Sequence, residues 1–146
     1  MILSIKNKSV LVTGGSRGIG AATVELFAKL GANVSFNYHS NKKAADHLLD
    51  NIQKYSGKYF AESCDVSDYN QVKTFVGRTI EKVSVIDILV NNAGIWEYGA
   101  IENMSIDNWQ RTLKINLDSV FYFTKEVVKN MKKNKISGRI IPSALM

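Results

Sequence analysis

The stretch Thr13-Gly-Gly-Ser-Arg-Gly-Ile-Gly20 sets glycines at 14, 18 and 20, directly after an apolar run and directly before a helical pattern. Backbone without side chains at a helix start can approach an anion and offer it amide donors, so this spacing predicts a phosphate-binding turn. The order G-x-x-x-G-x-G differs from the G-x-G-x-x-G fingerprint and from a Walker loop, which ends in Gly-Lys-Ser/Thr. A purely structural glycine turn is the competing reading. Two more polar clusters follow other apolar runs: Cys64-Asp65-Val66 and Asn91-Asn92-Ala93-Gly94. Asn116 stands inside a helical pattern, where asparagine is a poor helix former with cause to be elsewhere.

These groups need strands and helices to carry them. Short apolar runs at Ser9–Thr13, Asn33–Asn37, Lys58–Cys64, Asp87–Asn91 and Gly138–Ile141 alternate with segments of helical period. Ile19, Ala22, Leu26, Phe27 and Leu30 mark the first helix face; Ala44, Ala45, Leu48, Leu49 and Ile52 mark the second. Val72, Phe75, Val76, Ile80 and Val83 mark the third. Strand then helix, repeated, predicts an α/β fold with a doubly wound parallel sheet covered on both faces. A fourth helix is expected over about Asp107 to Lys133, with Ser105 as its N-cap and more than one face buried, because apolar residues surround its middle.

With 146 residues the chain is read as one domain, residues 1–146. A hydrophobic share of 45% with one proline excludes a disordered chain. The lone Cys64 excludes an internal disulfide and a cysteine-based metal cluster, so no metal site is expected. No apolar run is long enough to span a membrane, and a cytoplasmic location follows as the expectation. The net charge is +6, and the densest basic stretch, Lys129 to Lys135, stands where a helix should end and cations suit its dipole. No aromatic residues interleave with those lysines, so nucleic-acid binding is not expected.

The glycine turn, Cys64-Asp65-Val66, Asn91-Asn92-Ala93-Gly94 and Asn116 within Lys-Ile-Asn-Leu-Asp-Ser-Val-Phe together resemble the short-chain dehydrogenase/reductase family, most of all its 3-oxoacyl-carrier-protein reductase and glucose dehydrogenase branches. The resemblance covers essentially the whole chain up to Ile141. It implies a Rossmann fold of about five strands in the order 3-2-1-4-5. It also implies that Gly14, Gly15, Ser16, Arg17, Gly18, Ile19 and Gly20 wrap the pyrophosphate of a nicotinamide dinucleotide. Asp65 and Val66 would meet the adenine, and Asn92, Ala93 and Gly94 would lie along the ribose toward the nicotinamide. All sit at carboxyl ends of strands, where open α/β sheets bind ligands.

An NAD site needs a carboxylate roughly 20 residues beyond the glycines for the ribose 2′-hydroxyl. Leu26 to Ala45 holds no Asp or Glu; the second strand ends in Asn-Tyr-His-Ser-Asn-Lys-Lys instead. With Arg17 inside the turn, NADP(H) is the expected cofactor over NAD. Lys42 is open between phosphate contact and surface charge, and His39 is the expected neighbour of the adenosine ribose.

Reducing a carbonyl leaves an alkoxide that must receive a proton. The resemblance assigns that step to a Tyr with a Lys four residues on, a Ser and an Asn, and only the Asn has a clear counterpart, Asn116. Tyr38 with Lys42 and Tyr69 with Lys73 have the spacing but precede the fifth strand, so both are read as accidental. Ser143 falls two residues before the family serine position, which Leu145 occupies, and Pro142 removes a ladder donor. The expectation is therefore a dinucleotide-binding portion, truncated before the catalytic pair and incompetent alone. A ketone or 3-oxoacyl thioester would be the substrate of complete relatives. The alternatives are a non-catalytic dinucleotide-binding or assembly module, and the product of a disrupted gene. A homo-oligomer through the fourth helix is expected, because resembled enzymes pair that helix with one that would be missing.

Overall fold

The computed structural model describes residues 4–142. Five strands, β1 (Ser9–Val12), β2 (Asn33–Tyr38), β3 (Tyr59–Ser63), β4 (Ile88–Asn91) and β5 (Arg139–Pro142), form one parallel sheet in the order β3-β2-β1-β4-β5. Helices α1 (Gly18–Lys29), α2 (Lys42–Ile52), α3 (Tyr69–Val83), α4 (Ile106–Leu113) and α5 (Ser119–Lys133) cover its faces.

Alternation along the strands divides the core in two. Val10, Val12, Val34 and Phe36 point to one face and meet Val24 and Ala28 of α1 and Leu48 and Ile52 of α2. Leu11 and Leu89 point to the other and meet Phe75 and Val76 of α3 with Phe123 and Val127 of α5. Phe75 joins the two helices, its ring edge-on to Phe123 at 6.3 Å and stacked on Phe60 at 5.9 Å. Each such side chain contributes about 1.5–3 kcal/mol of burial. The second and third helical faces read from the sequence hold the buried apolar residues of α2 and α3, but the first does not: α1 buries Gly20, Val24 and Ala28, whereas Ile19, Ala22, Leu26 and Leu30 of the expected face are exposed.

The amino ends of the strands are closed by polar groups. Asp87 Oδ2 accepts from the Ser9 amide at 2.9 Å, and the Arg139 amide donates to the Asp87 carbonyl at 2.9 Å, so one residue joins β1, β4 and β5. The buried Asn130 of α5 accepts from the Ile86 amide at 2.9 Å and donates to the Ser84 carbonyl at 3.2 Å, fixing the entry to β4. Lys132 and Lys133 are exposed in the last turn of α5, as a solvated helix terminus requires.

The expected fourth helix is present but not uniform. Ser105 caps it, accepting from the Asn108 amide at 3.1 Å, yet residues Lys114–Asp118 form a π-turn between α4 and α5. Such a turn inserts one extra residue into the helix, and hydrophobic spacing alone does not reveal it. Pro142 closes β5 opposite Asn91. That position tolerates the missing donor, because β5 is the sheet edge among the described residues. Ser143 and Leu145 lie outside the described residues.

Candidate functional site

A cleft of about 680 Å³ runs across the carboxyl ends of the strands. Its floor is a hydrogen-bonded polar frame. Thr13 Oγ1 accepts from the amides of Asn92 and Ala93, each at 2.9 Å. The Asn92 side chain donates back to the carbonyls of Thr13 at 3.0 Å and Gly14 at 3.1 Å. Asn37 at the end of β2 accepts from the Gly14 amide at 3.0 Å and donates to the Cys64 carbonyl at 3.1 Å.

The glycine turn crosses this frame into α1. Gly18 has φ +54°, and a Cβ there would meet nothing within 4 Å, so its backbone faces open space. A Cβ on Gly20 would stand 2.2 Å from the Gly14 carbonyl oxygen, which excludes any other residue. Asn41 caps α2 and Asp68 caps α3 with their side chains, whereas no side chain caps α1. Its first-turn amides remain available to an anion.

Gly14, Ser16, Arg17, Gly18, Ile19 and Gly20 line the cleft, as do Asn92, Ala93 and Gly94. His39, Asp65 and Val66 line it too, with Ser40 and Asn41 beside His39. Gly15 does not: it is buried, and a Cβ there would stand 2.5 Å from Cβ of Phe36, so it serves packing of the turn on β2. Lys42 donates to Asp46 at 2.6 Å. Asp65 accepts from the Ser67 amide at 2.9 Å and from its hydroxyl at 2.7 Å.

Asn116 sits in the π-turn and outside the cleft lining. Its Oδ1 accepts from the Ile95 amide and its Nδ2 donates to the Ile95 carbonyl, both at 2.8 Å. In this structure it clamps the segment after β4 to the helix. The Tyr-x-x-x-Lys strings are not acid–base pairs. Tyr69 donates to Glu126 at 2.6 Å, a bond that pushes its hydroxyl pKa up, opposite to what a proton donor at neutral pH needs. Ile95 and Arg111 also line the cleft and belong to no sequence motif, and Ile115 does so beside Asn116 within Lys-Ile-Asn-Leu-Asp-Ser-Val-Phe. Arg111 could have been found from its place one helical turn before Ile115, beside Asn116. No group of His, Cys, Asp and Glu among the described residues could hold a metal, and no described helix is long and apolar enough to cross a membrane.

The short chain dehydrogenase family profile matches residues 8–144, and the chain belongs to that family. It is 38% identical over 140 residues to L-rhamnose 1-dehydrogenase (NADP(+)) of Thermoplasma acidophilum, covering 96% of this chain and 55% of that protein. It is 42% identical over 131 residues to the 3-oxoacyl-[acyl-carrier-protein] reductase of a Synechocystis species, covering 90% and 53%. A short-chain dehydrogenase/reductase from Serratia marcescens superposes with a TM-score of 0.87 at 33% identity, over 94% of this chain and 55% of that one. A Burkholderia cenocepacia short chain dehydrogenase, solved in complex with NADP, gives 0.83 at 33% identity, over 86% and 51%. The chain thus spans about half the length of the relatives it matches.

Cys64 lines the cleft from a buried position, and burial first, then the Asp65 and Asp68 charges, pushes its thiol up to about 12. The native thiol is therefore expected to react with a disulfide reagent at pH 8 roughly a thousandfold more slowly than in urea. The sign extends to stability: above pH 9 the unfolded thiol ionises while the folded one does not, so this contribution is lost as pH rises toward 12. A Cys64→Ala variant followed by urea denaturation from pH 7 to 10 should lack that part of the decline.

Proposed function

We propose that this chain is the NADP(H)-binding portion of a short-chain oxidoreductase acting on a ketone or 3-oxoacyl thioester. The observation that carries the reading is the uncapped start of α1 beneath the open backbone of Gly18, a cradle that a side chain would fill. Gly14 to Gly20 would hold the pyrophosphate, and His39 with Ser40 would adjoin the adenosine ribose. Arg17 would pair the 2′-phosphate, with no carboxylate among the residues lining that end between Tyr38 and Asn41. Asp65 and Val66 would meet the adenine, and Asn92, Ala93 and Gly94 would follow the ribose onward. The NADP named in a relative and in a similar structure supports this choice over NAD.

When bound, the nicotinamide supplies the hydride. The chain's own residues bind and orient the dinucleotide, and Asn116 holds the segment after β4 through Ile95. Within these 146 residues no tyrosine follows Tyr122, so a Tyr-x-x-x-Lys after the fifth strand is not among them. The chain on its own is therefore a binder without turnover, and one domain in the cytoplasm, where its single thiol stays reduced.

Self-association belongs to the same reading. Ile106, Trp109, Leu117 and Phe121 are exposed along α4, the π-turn and α5, and Phe121 is 62% exposed. Burying several such side chains against a second copy gains roughly 1.5–3 kcal/mol each, which favours a two-fold dimer.

Calorimetry is expected to show tighter binding of NADPH than NADH, and Arg17→Ala should erase about 1.5–3 kcal/mol of that preference. Equal affinities in the unmodified chain would overturn the cofactor assignment. Absorbance at 340 nm should stay constant when NADPH and a 3-oxoacyl thioester are added to the chain. Steady oxidation that survives Asn116→Ala would place the chemistry elsewhere. Light scattering across a dilution series should show a dimer that Phe121→Glu dissociates.

A further inference from the structure

Val66, Ala93 and Ile115 belong to one side-chain cluster, packed with Cys64 and Leu89, and all three also line the cleft. They give the cleft an apolar wall at the ends of β3 and β4. Arg111 lies four residues before Ile115, on the same side of the helix, and it lines the cleft as well. Its guanidinium is bonded to Glu97, with the arginine side chain 60% exposed and the glutamate 26%. Glu97 is delivered there by a fixed contact: two residues earlier, both backbone groups of Ile95 are held by Asn116. The nearby Asp65 turns its carboxylate oxygen Oδ1 to Ser67.

We propose that Arg111 is a contact for the adenine ring of the dinucleotide, closing over the base at the rim of the Val66–Ala93–Ile115 wall, and that Glu97 competes for the same guanidinium. The inference rests on the dinucleotide reading above and deepens it. A purine presents two flat faces. An apolar wall takes one, and the exposed face is best met by a planar cation, which stacks as a lysine ammonium does not. The largely exposed Arg111 has room to swing, and each gain of a base contact requires it to leave Glu97. Dinucleotide affinity is thereby set partly by an ion pair of the free protein.

Calorimetry with NADPH, adenosine 2′,5′-bisphosphate and reduced nicotinamide mononucleotide tests this on the whole chain. Arg111→Ala is expected to weaken the first two by about two- to thirty-fold and leave the third unchanged. Arg111→Lys should behave like Arg111→Ala, and Glu97→Gln should tighten NADPH by about two- to five-fold. Circular dichroism melting controls for folding. Loss confined to the mononucleotide, no loss at all, or full rescue by Arg111→Lys would overturn the base contact, and weaker binding by Glu97→Gln would overturn the competition. If the unmodified chain binds neither adenosine bisphosphate nor NADPH, the dinucleotide reading itself fails; if it binds both and Arg111→Ala changes nothing, only the present inference does.

Discussion

The cleft depends on how four parallel strands are tied together where their ladder stops. Beyond β1, the Thr13 hydroxyl and the side chains of Asn37 and Asn92 accept from or donate to the backbone of three neighbouring segments. Left unpaired, buried amides and carbonyls would each cost about 1–3 kcal/mol. Here they satisfy one another, which spaces the ends of β3, β2, β1 and β4 and leaves the amides at the start of α1 uncommitted. A rigid frame that consumes its own polarity can thus present an unspent set of donors in one place.

The sheet was legible because its central strands β2, β1 and β4 are buried on both faces. Val10–Val12 and Ile88–Val90 are apolar without alternation, and α2 and α3 have clean periodicity. The site was legible where glycine and asparagine stand in strand-end contexts. Arg111 was not, since one arginine on a helix has no signature until the helix is laid over the strand ends. Gly15 differs from its neighbours in a way the sequence does not carry: next to glycines that border open space, only the position of Phe36 distinguishes it.

Tyr69 shows how a catalytic spacing is emptied of chemistry by its surroundings. Its hydroxyl belongs to Glu126, whose other partner is Lys129 at 2.8 Å, and the Lys125 ammonium lies 5.2 Å from the Tyr69 ring centre. The group joins α3 to α5 on the outside of the same pair of helices that Phe75 and Phe123 join within. A tyrosine and a lysine four residues apart on α3 therefore act as part of a helix-pairing seam, and the direction of the Tyr69 shift follows from that role.

The π-turn at Lys114–Asp118 makes the length of this helix as consequential as its composition. Each residue of an α-helix advances the face by about 100°. Deleting one residue from the turn would restore an ordinary helix and rotate α5 by that angle relative to α4. Either Phe123 and Val127 would leave the sheet, or Ile115 would leave the cleft and Asn116 its bonds to Ile95. One extra residue thus lets a single rod satisfy two registers at once, one set by the core and the other by the site.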